Sequence, residues 1–144
     1  MRSRLSYWTT IIVLVAACVV ALAFNFSRPA PDEDKQSFSL RFSWAGIPAC
    51  ASISPVFELV NVPLGTKSLN FTMTDLDVPS FNHGGSSIPY HGNLVSRGAI
   101  KYIGPCPPGN ERHRYRWTVQ ALDREGKELG KTTTDSLFPP TGPS

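Results

Sequence analysis

The chain has 144 residues, which is enough for one domain of ordinary size, and its formal net charge is +3. Two of the 14 basic residues, Arg2 and Arg4, lie at the extreme N-terminus, which leaves 12 basic and 11 acidic residues in the rest of the chain. A nearly neutral body lacks the basic surface of a nucleic-acid-binding protein, so this class of protein is excluded.

Residues 1–26 are predicted to be a signal peptide or a membrane anchor. No charged residue occurs between Leu5 and Ser27, and this run includes the apolar stretch from Ile11 to Phe24. The run is about long enough to cross a bilayer as a helix, whereas Ala21-Leu22-Ala23 has the small residues of a cleavage site. Lipid attachment at Cys18 is a third possibility. Because arginines precede the apolar run, all three interpretations place the body outside the cytoplasm, in the periplasm or at the cell surface.

Residues 27–36 are predicted to be a linker, since SRPAPDEDKQ combines prolines and charges without apolar periodicity. The domain itself is predicted over residues 37–138. At its start Phe38, Leu40 and Phe42 alternate with polar residues, which is the two-residue period of a half-buried strand. The proline-rich residues 139–144 are predicted to be a tail.

Short β-strands account for the rest of the domain. The body has no amphipathic helical pattern, and nearly all of the 13 prolines and 11 glycines divide it into short segments. The chain is therefore predicted to be all-β, a sandwich of short strands preceded by an N-terminal apolar helix. The glycine-rich stretch that contains His83 and His91 is predicted to be flexible. The predicted strands are Ser37–Ser43, Val56–Val60, Ser68–Asp75, Ala99–Ile103, His113–Leu122 and Glu128–Thr134.

Alternation along two of these strands directs three polar side chains toward the core. Asp75 shares the face of Phe71, and His113 and Tyr115 share the face of Trp117. Buried polar groups need partners, so the economical arrangement is a small polar cavity at one end of the sandwich. Its rim is predicted to be the loop Gly104–Gly109, which prolines stiffen. Phe71, Trp44 and Trp117 are assigned to the core.

Cysteine usage predicts one disulfide. Cys50 and Cys106 are the only pair in the body, because Cys18 lies within the apolar segment. An oxidising compartment favours a bond between them, and the alternative is two unrelated buried thiols.

Three blocks of sequence occur in an order that is typical of one family. They are Ser54-Pro55 with VPLGTKS over residues 62–68, Asp75-Leu76-Asp77-Val78-Pro79, and GPCPPGNERHRY over residues 104–115. They resemble the S-P-x-x-x-W and V-P-x-G-T-K-S segments, the D-P-D-x-P motif and the G-P-x-P-P-x-G-x-H-R-Y signature of the phosphatidylethanolamine-binding protein family. The tryptophan of the first segment is missing. The cysteines ahead of S-P and inside the signature are similar to the bacterial Raf kinase inhibitor-like branch, which again implies the disulfide.

The resemblance implies a fold and a ligand. Members of the family have two packed antiparallel sheets and a small cavity for phosphate-like groups or phospholipid head groups. By this resemblance the residues implicated in ligand binding are Asp75, Gly104, Pro105, Pro107, His113 and Tyr115, with Asp77 and Pro79 shaping the turn. The family's H-W pair is replaced by FNHGGSSIPYHG, in which His83 is the candidate substitute for the missing histidine.

The predicted function is therefore an extracytoplasmic binding domain, not an enzyme, with no cofactor and no metal. The expected partners are a small anionic or phospholipid-like ligand, a membrane through the uncleaved N-terminal segment, and a protein that the domain inhibits or regulates; nucleic acid is not expected.

Parts of the same pattern are compatible with other classes of function. A hydrolase would use Asp75 and His113 with Ser54, Ser86 or Ser87, although no serine lies in a recognisable activating motif. A metal site would combine His83, His91, His113 and Asp75. In a purely structural or protein-interaction module, Asp75 and His113 would pair beneath the loop without a ligand.

Overall fold

The computed structural model describes residues 37–140, which form two antiparallel β-sheets. The predicted signal peptide or anchor with its apolar helix, the linker over 27–36 and residues 141–144 of the tail lie outside this part of the chain. The part of the chain that the structure describes contains no candidate membrane-spanning helix.

Residues 37–140 contain seven strands, and every neighbouring pair is antiparallel. Their bounds are β1 (Ser39–Phe42), β2 (Phe57–Val60), β3 (Ser68–Asp75), β4 (Asn82–Pro89), β5 (Leu94–Val95), β6 (His113–Leu122) and β7 (Glu128–Phe138). One sheet has the order β1-β2-β5, and the other has the order β4-β3-β6-β7. The predicted all-β, two-sheet fold is confirmed.

Aromatic side chains from both sheets fill the space between them. Phe57 of β2 packs against Phe71 of β3 and Trp117 of β6, with ring centroids 5.0 Å apart in each pair. These three side chains are fully buried, and Trp44, in the loop after β1, is buried as well. The predicted core positions of Phe71, Trp44 and Trp117 are confirmed. Burying a side chain of this kind contributes on the order of 1.5–3 kcal/mol, so this cluster holds the sheets face to face.

The two longest stretches of alternation form strands with the predicted bounds, β3 and β6. Buried residues recur at every second position of both, which makes the pattern readable without any tertiary information. Strands β1 and β2 lie within their predicted ranges. Strand β7 continues past Thr134 to Phe138, where Phe138 pairs with His113 at the start of β6.

The predicted strand Ala99–Ile103 is wrong, because this segment is a loop. Its alternation reflects real burial, since Ile100 and Tyr102 point into the core. However, the segment does not form a ladder: Ile100 donates to the hydroxyl of Ser54 and Lys101 to the hydroxyl of Ser86, and a single backbone bond, from the N–H of Ile103 to the carbonyl of His83, joins it to β4. Burial alone therefore produced the two-residue period.

The stretch predicted to be flexible forms the edge strand β4, which pairs with β3, and the two-residue strand β5 follows it. The glycines of β4 lowered its apparent strand propensity, but one of them is needed for close packing. A Cβ atom on Gly85 would collide with the backbone carbonyl of Phe71 on the neighbouring strand. Pairing with β3 therefore outweighs local propensity here.

Candidate functional site

The proline-rich loop over residues 104–109 is fastened to the segment that precedes β2. A disulfide joins Cys50 to Cys106, as predicted, with their Cα atoms 4.4 Å apart. The N–H of Cys50 donates to the carbonyl of Pro105 over 2.8 Å. Gly104 is packed so closely that a Cβ atom there would overlap the carbonyl of Ala51. The loop is therefore a fixed lip at the end of the sandwich.

Beneath this lip, Asp75 at the end of β3 meets His113 at the start of β6. Oδ2 of Asp75 lies 2.7 Å from Nδ1 of His113, and the two side chains are 5% and 9% exposed. The other carboxylate oxygen, Oδ1, accepts hydrogen bonds from the N–H groups of Asp77 and Val78 at 2.9 and 3.1 Å. The inward orientation predicted from strand alternation is confirmed for both residues, and each has a partner for its buried polar atoms.

The contacts of this pair favour its charged form. Burial by itself raises the pKa of Asp75, but hydrogen bonds from His113, Asp77 and Val78 and the charge of His113 outweigh it, so the pKa lies below the usual 3.8. The hydrogen bond with Asp75 raises the pKa of His113 above the usual 6.5; burial opposes this, and the bond to Glu111 and the charges of Asp75 and Asp77 add to it. These contacts therefore favour an imidazolium beside a carboxylate over the neutral pair.

The stability of the fold is expected to fall as the pH rises through the raised pKa of His113. Below pH 6.5, the ordinary pKa of an unfolded histidine, the pair of His113 and Asp75 makes its full contribution to the free energy of unfolding. Above the folded-state pKa of His113 this contribution is lost. Unfolding releases one proton between these two pKa values, so the free energy of unfolding falls there by at most about 1.4 kcal/mol per pH unit.

Urea denaturation of the full-length chain from about pH 5 to 9 measures this slope. The fall in the free energy of unfolding with rising pH should disappear in His113→Gln. It should remain in the control His91→Gln, because His91 is exposed. If all three proteins give the same profile, the pair does not contribute in this way.

Two further rings border the same space. Tyr115 is buried two residues after His113, with its ring 6.2 Å from that imidazole. Burial, followed by the charge of Asp75, raises the pKa of Tyr115 above the usual 10.0, so its phenol keeps its proton and remains a donor. His83 of β4 meets Tyr115 edge to face at 5.4 Å. Because Nδ1 of His83 lies 2.8 Å from the carbonyl of Ile103, that nitrogen carries the proton.

These groups surround a cavity of about 240 Å³. Five of the predicted site residues line it, namely Asp75, His83, Gly104, His113 and Tyr115. The other lining residues are Val78, Phe81, Ile103, Cys106 and Pro108. The structure therefore brings the predicted acid, imidazole and phenol together, and it places His83 with them.

Four other predicted site residues do not line the cavity: Asp77, Pro79, Pro105 and Pro107. The carboxylate of Asp77 instead accepts a hydrogen bond from the N–H of Arg114 at 2.6 Å, which ties the turn after β3 to β6. Pro79 is exposed in the same turn, and within the lip Pro105 is buried and Pro107 is half-buried. Their positions are consistent with shaping the site's walls and not with direct contact in the cavity.

The sequence interpretation missed an apolar rim at the mouth of the cavity. Val78, Phe81 and Ile103 are each about half exposed, although they are large and hydrophobic. They lie in loops or beside a strand end, where no periodicity predicts the direction of a side chain. Their apolar character next to the two signature motifs was the available signal.

The alternative chemistries do not assemble around the cavity. Ser54 is buried and its hydroxyl accepts from the N–H of Ile100, while Ser86 accepts from Lys101 and Ser87 donates to Asn70. None of these three serines lines the cavity. His91 is also outside it, and residues 37–140 contain no cluster of three or more His, Cys, Asp or Glu side chains suited to hold a metal ion.

Comparison with known proteins finds matches to the sequence. The family model for phosphatidylethanolamine-binding protein matches residues 88–139. A UPF0098 protein of Chlamydia pneumoniae is 32% identical over 109 residues, which cover 61% of this chain and 72% of the relative. The chain belongs to the phosphatidylethanolamine-binding protein family.

Two solved structures share the fold. One is a phosphatidylethanolamine-binding protein homologue of Chlamydia trachomatis, with a TM-score of 0.56 and 23% identity, covering 71% of this chain and 97% of the homologue. The other is YbcL of E. coli, a member of the mammalian PEBP family, with a TM-score of 0.54 and 18% identity, covering 71% of this chain and 98% of YbcL. At these identities the likeness extends to the fold alone.

Proposed function

We propose that the domain binds a small anionic or phospholipid-head-group-like ligand in the cavity beneath the lip, outside the cytoplasm and without catalysing a reaction. The observation that carries this proposal is the convergence of a carboxylate-paired imidazole and a buried phenol on one open cavity. A purely structural ion pair would not need an opening beside it.

The size of the cavity supports a compact ligand. At about 240 Å³ it is smaller than the roughly 300–1,000 Å³ of sites for drug-sized molecules. A phosphate or a lipid head group is of suitable size. The lip that forms one wall is held by the disulfide and by Gly104, so the space is preformed and little ordering is required on binding.

The chemistry of the walls supports a phosphate-like group. Protonated His113 and the phenol of Tyr115 donate hydrogen bonds, and those from a charged donor are the stronger ones. The carboxylate of Asp75 orients the imidazole of His113 through its bond to Nδ1. The apolar rim of Val78, Phe81 and Ile103 suits the hydrocarbon part that adjoins a head group. The names of relatives, which refer to binding of phosphatidylethanolamine, point in the same direction.

The remaining parts of the proposal have separate support. A binding role in place of catalysis is favoured because Ser54, Ser86 and Ser87 are engaged in structural hydrogen bonds. An extracytoplasmic location is favoured by the disulfide together with the apolar N-terminal sequence. In this proposal residues 1–26 deliver or anchor the domain over residues 37–138. Regulation of another protein through the occupied cavity is compatible with the same site.

Titration of the full-length protein with inorganic phosphate, followed by the NMR signals of its three histidines, tests the proposal. We expect the His113 signals to shift, with a smaller shift at His83 and none at His91, which lies outside the cavity. His113→Gln should weaken phosphate binding about tenfold or more, because it removes a hydrogen bond from a charged donor. His91→Gln is the matched control.

Absence of any phosphate-dependent shift at His113 would leave the structural interpretation, in which the ion pair only fixes two strand ends. Equal shifts at all three histidines would indicate non-specific association. Turnover of ester or phosphoester substrates that is lost in His113→Gln would instead favour an enzyme.

A further inference from the structure

Both ring nitrogens of His113 are engaged by carboxylates of the chain itself. Nδ1 lies 2.7 Å from Asp75, and Nε2 lies 3.3 Å from Oε2 of Glu111. Carboxylates are acceptors only, so contact with one at each nitrogen requires a proton on both. A ligand oxygen that is to accept a hydrogen bond from this imidazole must therefore displace one of the two carboxylates.

Glu111 is the carboxylate that can leave. The side chain of Asp75 is 5% exposed and is held by two backbone N–H groups in addition to His113. The side chain of Glu111 is 67% exposed, and His113 is its one hydrogen-bond partner among residues 37–140. A contact made by so exposed a carboxylate is weak, and water readily replaces it. Nε2 is accordingly the nitrogen available to a ligand, once Glu111 has moved aside.

The balance of charge gives this movement a consequence for specificity. Among the residues that line the cavity, His113 is the cationic group and Asp75 the anionic one, so they cancel. Glu111 adds a negative charge at the outer edge of the imidazole. A bare anion must displace Glu111 and is then repelled by its carboxylate, which remains nearby. A ligand that carries an ammonium group beside its anion offers the displaced carboxylate a new partner.

We propose that Glu111 is a specificity-determining residue, which occupies Nε2 of His113 as an internal competitor, discriminates against bare anions, and accepts the cationic group of zwitterionic ligands. The proposal rests on the proposed function, since it concerns the same cavity. In the sequence, Glu111 lies between the lip and the H-R-Y triplet, so its backbone is placed by the fixed loop while its side chain is free to swing.

Binding of two probes to full-length wild-type protein, Glu111→Gln and the control Glu125→Gln tests this role. The probes are inorganic phosphate and O-phosphoethanolamine, and the readout is the dissociation constant from the His113 NMR signals. Glu125 is an exposed glutamate in the turn between β6 and β7, at the opposite end of β6 from His113, and it does not line the cavity. We expect Glu111→Gln to bind phosphate about two- to fivefold more tightly than wild type, the range that loss of a weak ion pair permits. The affinity of Glu111→Gln for O-phosphoethanolamine should rise less than its affinity for phosphate, or should fall below that of wild type. Glu125→Gln should bind both probes as wild type does.

The outcomes separate this role from the proposed function. If wild type binds phosphate and Glu111→Gln binds it no more tightly, Glu111 is not a competitor, although the cavity remains a binding site. If Glu111→Gln binds both probes more tightly by the same factor, Glu111 does not discriminate between bare and zwitterionic anions. If neither protein binds either probe, the proposed function fails and the role of Glu111 fails with it.

Discussion

Replacing Cys50 and Cys106 together with serine is expected to lower the free energy of unfolding by about 4 kcal/mol. The disulfide closes a loop between residues 56 positions apart, and in the chain-entropy model a loop of that length in the unfolded state accounts for a loss of this size. For so small a core this is a large fraction of the total stability, which is typically about 5–15 kcal/mol. Urea denaturation of the full-length chain measures it, and Cys18→Ser, which leaves the bond intact, is the control.

The same double substitution is expected to weaken ligand binding as well. Cys106 lines the cavity, and the bond holds the lip against the segment before β2. Without it the loop must be ordered when the ligand binds, which costs conformational entropy. A double variant with unchanged stability would mean that the close packing of Gly104 and the bond from Cys50 N–H to Pro105 are sufficient to fix the lip.

The parts of the fold that could be predicted from sequence are those in which alternation and hydrogen bonding coincide. In β3 and β6 the two-residue period extends over eight and ten residues, and each strand has ladder partners on both sides. The segment Ala99–Ile103 has the same kind of period but donates to side-chain hydroxyls, which sequence alone does not reveal. Strand β4 shows the reverse case, because its glycines obscure a ladder that pairing with β3 creates.

The residues of the candidate site also differ in whether the sequence could predict their positions. Asp75, His113 and Tyr115 could be placed together because each lies in a regular strand whose alternation fixes the direction of its side chain. His83 was suggested by resemblance alone, since the strand that directs it into the cavity was not predicted. Glu111 precedes β6 in a loop, where a single sequence contains no information on which way a side chain points.

Replacing Asp75 with alanine is expected to lower the free energy of unfolding by about 3 kcal/mol, the lower end of the range for removing one partner of a buried pair. His113 would be left without its buried partner, and the N–H groups of Asp77 and Val78 would lose their acceptor. Near neutral pH the decrease in the free energy of unfolding should stay close to this value. His113 can release its proton, so no unpaired charge remains buried. Asp135→Asn, which breaks the partly exposed pair with Arg116 on the same sheet, is the control and should cost much less.

Asparagine at position 75 separates the two roles of the carboxylate. Its amide oxygen can still accept from the backbone N–H groups of Asp77 and Val78, but it carries no charge to hold the imidazolium. We therefore expect Asp75→Asn to be more stable than Asp75→Ala, while the pKa of His113, followed by NMR, falls in both variants. A His113 pKa that stayed at the wild-type value in Asp75→Asn would show that Asp75 is not what keeps the imidazole charged. The expected fall in the pKa would weaken phosphate binding, because the imidazole would then donate as a neutral group and its hydrogen bond would no longer be charge-assisted.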